Sequence, residues 1–130
     1  MSTNEKFRPG DKVSLPVPAG TKAGAPLRIG GLNAVAQTDR AKVDVSPTNA
    51  DGTVNTSYNY GGGNPTGNAS CWLDGAHEFE VDFAVSGIGD PIYITSGNAL
   101  TGTATGNSLF GHALTTKGAP SGPLTVRLAN

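Results

Sequence analysis

The residues that could carry chemistry in this chain are two histidines, one cysteine and a short row of carboxylates. His77 or His112 could serve as a general base, but no serine stands in the G-x-S-x-G pattern that presents a nucleophile at a sharp turn. His112 lies between Gly111 and Ala113 in a strand-like run, where a packed or half-exposed imidazole is the ordinary finding. The sequence therefore predicts no catalytic residues, and a protein that is not an enzyme.

Carboxylates alternate along one segment, at Glu78, Glu80 and Asp82, about 7 Å apart if that segment is a strand. Paired carboxylates can hydrolyse glycosides or hold a hard cation, but no second acidic cluster completes such a site, so a solvated face is the favoured interpretation. Residues 49–52 begin like a calcium loop and lack its downstream glutamate. A lone cysteine, Cys71, excludes an intrachain disulfide and a cysteine metal cluster, and we expect it to be buried. The sequence predicts no metal and no cofactor.

Alternation of apolar and polar residues is the main structural signal. It is clearest over residues 77–85, where Phe79, Val81, Phe83 and Val85 share one face and the acids share the other. No segment keeps a 3.6-residue period over three turns. These observations predict an all-β fold, a small antiparallel β-barrel or sandwich of short strands.

Turn residues divide the chain into further strands. Gly30-Gly31 predicts a hairpin between residues 27–29 and 32–37, and Asp74-Gly75 predicts a second one between 70–73 and 77–85. A third is predicted around residues 96–98, and the remaining strands are predicted at 13–17, 42–45, 109–115 and 124–128. Because Pro16 and Pro18 cannot donate ladder hydrogen bonds, the first strand is expected at a sheet edge.

Two segments lie outside this pattern. Residues 1–10 are polar with a single aromatic, Phe7, and are interpreted as an N-terminal arm before a single domain over 11–130. Residues 46–67 have no periodicity, and so long a stretch without strands indicates a functional or mobile loop. Tyr58 and Tyr60 stand out within it, because tyrosine is favoured at protein interfaces.

Charge is distributed unevenly. Residues 1–42 hold seven Lys and Arg against three acids, and residues 43–130 hold two against seven. The basic third could steer the chain toward an acidic partner, or it could be ordinary surface charge that folding interleaves with the acids. The acids beside Phe79 would repel phosphate, so no nucleic acid partner is expected. The first ten residues have no apolar core and no apolar run is long enough for a membrane span. We therefore expect no membrane partner and synthesis in the host cytoplasm.

The order of turns and strands resembles a known family. CWLDGAHEFEV at 71–81, GDPIYITSGNALTG at 89–102, TATGNSLFGHAL at 103–114 and PLTVRL at 123–128 together resemble the head decoration (capsid cement) proteins of tailed bacteriophages. GAPLRIGGLNAVAQTD at 24–39 is similar to the family's first hairpin. The resemblance covers roughly residues 10–45 and 68–128, and 46–67 stands out as an insertion. It implies a structural protein on the outer surface of the mature phage head, a trimer that stabilises contacts between major capsid subunits.

Two site hypotheses accompany this resemblance. Lys6, Phe7, Arg8 and Lys12 are expected to dock on the capsid by adding a strand to an open sheet edge. Tyr58 and Tyr60 are expected in a loop that either contacts another subunit or is displayed outward. The alternative function is a carbohydrate-binding β module of a phage or secreted protein, and a small β-fold enzyme is the third candidate.

Overall fold

Two antiparallel sheets make up the computed structural model, which describes residues 10–130. The first sheet contains β1 (Lys12–Pro16), β2 (Pro26–Ile29), β3 (Leu32–Ala36) and β4 (Asn68–Trp72), in the order β1-β4-β3-β2. The second contains β5 (Ala76–Val81), β6 (Pro91–Ile94), β7 (Leu100–Thr101), β8 (Ser108–Ala113) and β9 (Gly122–Leu128), in the order β5-β9-β8-β6-β7. A short 3-10 turn at Gly61–Gly63 is the only helical element in this part of the chain. The prediction of an all-β fold is confirmed.

Local turn signals in the first sheet give the expected pairings. Ile29 pairs with Leu32 across Gly30-Gly31, so the predicted hairpin is formed, and Gly30 takes the left-handed conformation at φ +60°. β1 lies at the edge of its sheet. The backbone nitrogen of Pro16 points away from β4, so its missing N–H costs the sheet no hydrogen bond. Side chains of this sheet and of the residue after β1 form a small apolar cluster, which contains Val17, Leu27, Ala34, Ala36, Ala69 and Cys71.

The second sheet carries the larger core. Phe79 and Val81 of β5 are buried while Glu78 and Glu80 are exposed, as the alternation predicted. Phe79 meets Phe110 edge to face, with ring centroids 5.6 Å apart and planes at 75°, an arrangement that aromatic quadrupoles favour. The other buried members of this cluster are Val35, Val85, Ile92, Ile94, Ala113, Leu124, Val126 and Leu128.

Asp74-Gly75 does not form the predicted hairpin. β4 pairs with β1 and β3, whereas β5 pairs with β9, so this dipeptide carries the chain from one sheet to the other. Gly75 has φ +88° and its carbonyl accepts a hydrogen bond from Leu128 N–H at 3.0 Å. The prediction is wrong because the same Asp-Gly signal serves any sharp turn and says nothing about which strands pair beyond it.

The predicted strand at 42–45 is also wrong. Only Lys42 makes a β-bridge there, with Asn59, and Val43 is exposed. The Val43 N–H donates to the Thr66 hydroxyl at 3.0 Å, so the 46–67 loop supplies the polar partners that a neighbouring strand would supply. The strand predicted at 77–85 ends at Val81, and Val85 instead makes a single bridge with Lys117.

A polar cluster ties the two sheets together. Asn33 at the start of β3 is buried, and its Nδ2 donates to Leu109 O at 2.9 Å and Ala129 O at 2.7 Å. Its Oδ1 accepts from Arg28 Nη1 at 2.8 Å. Asn130 follows β9 and forms hydrogen bonds with the Asn33 backbone, so the end of β9 meets the start of β3. β3 pairs with β4 and β9 pairs with β5, so both lie on the same side of the chain as it passes from β4 to β5.

Candidate functional site

The histidines, the cysteine and the carboxylates do not form a metal-ligating cluster between residues 10 and 130. No group of three or more His, Cys, Asp or Glu side chains approaches closely enough to hold a metal ion in that part of the chain. Cys71 is buried as expected, and desolvation raises the pKa of its thiol, which disfavours the reactive thiolate. His77 Nε2 lies 2.9 Å from Asp74 O, and His112 is exposed on β8. Among the described residues, neither histidine side chain forms a hydrogen bond with a serine, threonine or cysteine side chain.

Lys12 is the one predicted docking residue that the structure describes; Lys6, Phe7 and Arg8 lie outside the described residues. Lys12 is the first residue of β1, and its Nζ lies 5.1 Å from the centroid of the Trp72 ring on the neighbouring strand. This cation–π contact holds the Lys12 side chain against the sheet. The charge nevertheless stays at the exposed rim, since Lys12 is an exposed residue.

β1 offers backbone groups along its open side. Leu73 N–H donates to Asp11 O at 2.8 Å and Val17 N–H donates to Gly67 O at 3.0 Å, so the odd-numbered residues bond to β4. In an antiparallel pair the alternate residues then direct their N–H and C=O groups outward, here Lys12, Ser14 and Pro16. Pro16 has no N–H, so the edge has fewer donors than a regular strand of its length.

The 46–67 loop is anchored at its returning end. Asn59 pairs with Lys42 through two backbone hydrogen bonds of 2.8 and 3.0 Å. Its side chain accepts from Gly61 N–H at 2.9 Å and donates to Asp39 Oδ2 at 3.1 Å. The Ala23 N–H and the Asn59 amide both donate to the Asp39 carboxylate and hold its pKa below the usual value.

Close packing fixes the same end of the loop. Gly61 has φ +58° and lies so near Ala41 that a Cβ on Gly61 would stand 2.4 Å from the Ala41 Cα. Asn64 is buried, and its Nδ2 donates to Gly61 O at 2.7 Å and to Ser70 Oγ at 3.1 Å. Only glycine fits at position 61, which makes this end of the loop a packed part of the domain.

Tyr58 and Tyr60 flank the anchoring Asn59. Tyr58 is half-buried, whereas Tyr60 has 65% of its surface exposed and immediately precedes the 3-10 turn. Nearer the tip of the loop, Val54 forms a β-bridge with Thr48 and has 75% of its surface exposed. The structure therefore places both tyrosines at the fixed base of the loop and not at its tip. It does not bring them together with Lys12 into a common site.

Sequence reasoning missed the cluster around Asn33. An asparagine within an apolar run, as in LNAVA at 32–36, was the available signal, because a buried amide must find partners for each of its polar atoms. Arg28 lies five positions away in the same hairpin, but the other two partners, Leu109 and Ala129, lie 76 and 96 positions away along the chain.

Comparison with known proteins identifies a family. A protein-family model described as "phage cement protein" matches residues 7–129. No curated protein and no solved structure matches the chain. From Gly10 onward, the chain has no helix long and apolar enough to cross a membrane.

Proposed function

The chain belongs to the phage cement protein family, and on that premise we propose that it binds the outer surface of the mature phage head as a trimer and stabilises contacts between major capsid subunits. Membership of the family makes it a capsid decoration protein associated with the virion. The observation that carries the proposal is the extent of the match, which runs through both sheets and the 46–67 loop and reaches residue 7 of the arm.

The domain has the rigidity that a protein needs to resist movement between larger subunits. Its two cores are joined by the buried Asn33, whose amide satisfies carbonyls on β8 and after β9. Buried polar groups that are fully bonded fix one arrangement of the elements that contain them. A rigid domain can hold two capsid subunits at a set spacing, and we assign it no catalytic role.

Attachment is proposed through the arm and the rim of β1. Lys6, Phe7, Arg8 and Lys12 dock on the capsid, with the arm adding an extended strand to an open capsid sheet edge. Lys12 stands at the junction of arm and domain, braced on Trp72, so its ammonium is presented at the start of that contact. Main-chain hydrogen bonds supply attraction without a deep pocket, and the cations steer the approach to an acidic surface.

Tyr58 and Tyr60 are proposed as contacts between subunits. They lie on the packed base of the 46–67 loop, so placing them in an interface costs little ordering entropy. A trimer multiplies each weak capsid contact, since after the first arm binds the others bind intramolecularly.

The direct test mixes the purified protein with undecorated expanded heads and images the particles by cryo-electron microscopy. Added density at the local threefold positions is the expected result. Unexpanded heads are the matched control and should remain bare. Expanded heads that show no added density would refute the proposed attachment.

A further inference from the structure

β5 presents the longest open edge among the four edge strands of the described sheets. β7 has two residues, β1 contains Pro16, and on β2 the Arg28 N–H already donates to Asn98 Oδ1 at 3.1 Å. β5 has six residues and no proline. An edge of this kind is a template for an added strand.

The backbone groups that face this edge follow from the pairing with β9. Leu128 N–H donates to Gly75 O, and in the same register His77, Phe79 and Val81 form the hydrogen-bonded pairs with β9. Ala76, Glu78 and Glu80 therefore direct their N–H and C=O groups away from β9. Pro123 stands opposite Glu80, at a position of β9 that needs no donor toward β5.

The two faces beside this edge differ in chemistry. On the outer face the carboxylates of Glu78, Glu80 and Asp82 are exposed. A cleft of about 600 Å³ runs along this edge; the buried Phe79 and Val81 line it together with Leu100, and Glu78, Glu80 and Asp82 also border it. A strand added to β5 would place alternate residues beside the carboxylates and the residue between them in the cleft. The matching segment has two cations flanking an apolar residue.

Lys6-Phe7-Arg8 has that pattern. We propose that, in the protein free of the capsid, residues 6–8 of the same molecule dock on β5 as an added antiparallel strand. Arg8 then stands beside Glu78, Lys6 beside Glu80, and Phe7 beside Phe79 in the cleft. Opposite charges and aromatic rings at facing positions are the pairs that stabilise neighbouring strands.

The point where the arm enters the domain favours the chain's own arm as the occupant. Asp11 O accepts from Leu73 N–H, and β5 begins at Ala76, three positions after Leu73. β9 and β3 lie on one side of the β4–β5 segment, so the side that continues from β1 is the open one. Gly10 and Asp11 form a turn before β1, and an arm docked on β5 would run antiparallel to that strand, as β1 runs antiparallel to β4. The tether gives it a high effective concentration at this edge.

The arm is docked on β5 in the free protein and leaves that edge when it binds the capsid. This docking is separate from the proposed function, because it occurs in the free protein alone. Failure to bind heads would leave it standing, and failure of the docking on β5 would leave head binding standing.

Amide hydrogen exchange measured by NMR tests the docking. In the full chain the Glu78 and Glu80 amides should exchange at least about tenfold more slowly than in a variant lacking residues 2–9. The His77 and Phe79 amides, which bond to β9, are the internal controls and should exchange alike in both proteins. Equal rates at Glu78 and Glu80 would overturn the proposal. Protection that rises with protein concentration would assign the edge to a second copy and overturn the intramolecular docking.

A charge exchange tests the register. Glu80→Lys should remove most of the protection at the Glu78 amide, and Lys6→Glu in the same chain should restore it. Asp51→Lys, on the exposed loop, is the matched control and should have no effect. Protection that survives Glu80→Lys unchanged would overturn the pairing of Lys6 with Glu80.

Discussion

Asn33 and Asn130 bond to each other in both directions: Asn33 N–H donates to Asn130 Oδ1 at 2.9 Å, and Asn130 Nδ2 donates to Asn33 O at 2.7 Å. The pair joins the start of β3 to the residues after β9. The contact crosses 97 positions of sequence and links the two sheets. Together with the hydrogen bonds of the Asn33 side chain, this pair fixes the position of one sheet relative to the other.

Replacing Asn33 with leucine should destabilise the domain. Asn33→Leu keeps the approximate side-chain shape but leaves Ala129 O without its donor and Leu109 O with only the Arg28 guanidinium. A buried polar group without a partner costs about 1–3 kcal/mol, so the free energy of unfolding should fall by at least that amount. Urea unfolding measures it. Gln37→Ala, at an exposed site just after β3, is the control and should change stability little; an equal loss for both variants would contradict the role of Asn33.

A methyl group on Gly111 should separate β8 from β9. A Cβ at Gly111 would lie 2.2 Å from Arg127 O, a backbone atom that cannot move aside cheaply. Gly111→Ala should lower the free energy of unfolding by about 1–3 kcal/mol, the usual cost of overpacking. Thermal unfolding followed by circular dichroism checks this. Gly31→Ala is the matched control, because nothing lies within 4 Å of a Cβ there and its φ is not left-handed.

Asp39 should make stability sensitive to acid. Hydrogen bonds from Ala23 N–H and the Asn59 amide lower its pKa from about 3.8, so the folded state binds fewer protons than the unfolded chain. The resulting stability is present above the unfolded-state pKa and is lost as the pH falls through the folded-state pKa. Asp39→Asn should therefore show a smaller loss of unfolding free energy between pH 6 and pH 3. Asp74→Asn removes an exposed carboxylate and is the control; the same flattening in both variants would count against Asp39.

Removal of the arm should weaken binding to heads. Deleting residues 2–9 takes away Lys6, Phe7 and Arg8 while leaving β1 and Lys12, and occupancy of expanded heads should fall at least about tenfold, equivalent to 1.4 kcal/mol. Co-sedimentation of protein with heads gives the occupancy. Lys22→Ala, which removes a cation that instead faces Asp39 at 3.8 Å, should bind normally. Undiminished binding by the deletion would refute arm docking.

Replacing both tyrosines with serine should weaken the trimer without unfolding the domain. Tyr60 is largely exposed, and the loop base is held by the Asn59 and Gly61 contacts. Sedimentation equilibrium of Tyr58→Ser/Tyr60→Ser should show dissociation at concentrations at least about tenfold higher than for the unchanged chain. Val54→Ser, at the exposed tip, is the control. Unchanged trimer mass and head affinity would assign the loop to display.

The alternation of apolar and polar residues determined which faces are buried. It correctly placed Phe79 and Val81 in the core and Glu78 and Glu80 in solvent, because a strand's side chains alternate whatever strand lies beside it. Short-range turn residues likewise predicted the hairpin at Gly30-Gly31. The resemblance to the cement proteins likewise rests on short runs of turn and strand residues. Each of these features depends on residues close together in the chain.

Pairing across long distances was decided by the tertiary structure alone. Asp74-Gly75 looked like a hairpin, yet β5 pairs with β9 and leaves its other edge open. The partners of Asn33 and the position of Tyr60 at the loop base also come from distant segments. The local pattern of a strand would be the same beside a different neighbouring strand or in a different register. The pattern therefore does not indicate which strand pairs with it. Which edges stay open for an arm or a capsid therefore depends on how the sheets assemble.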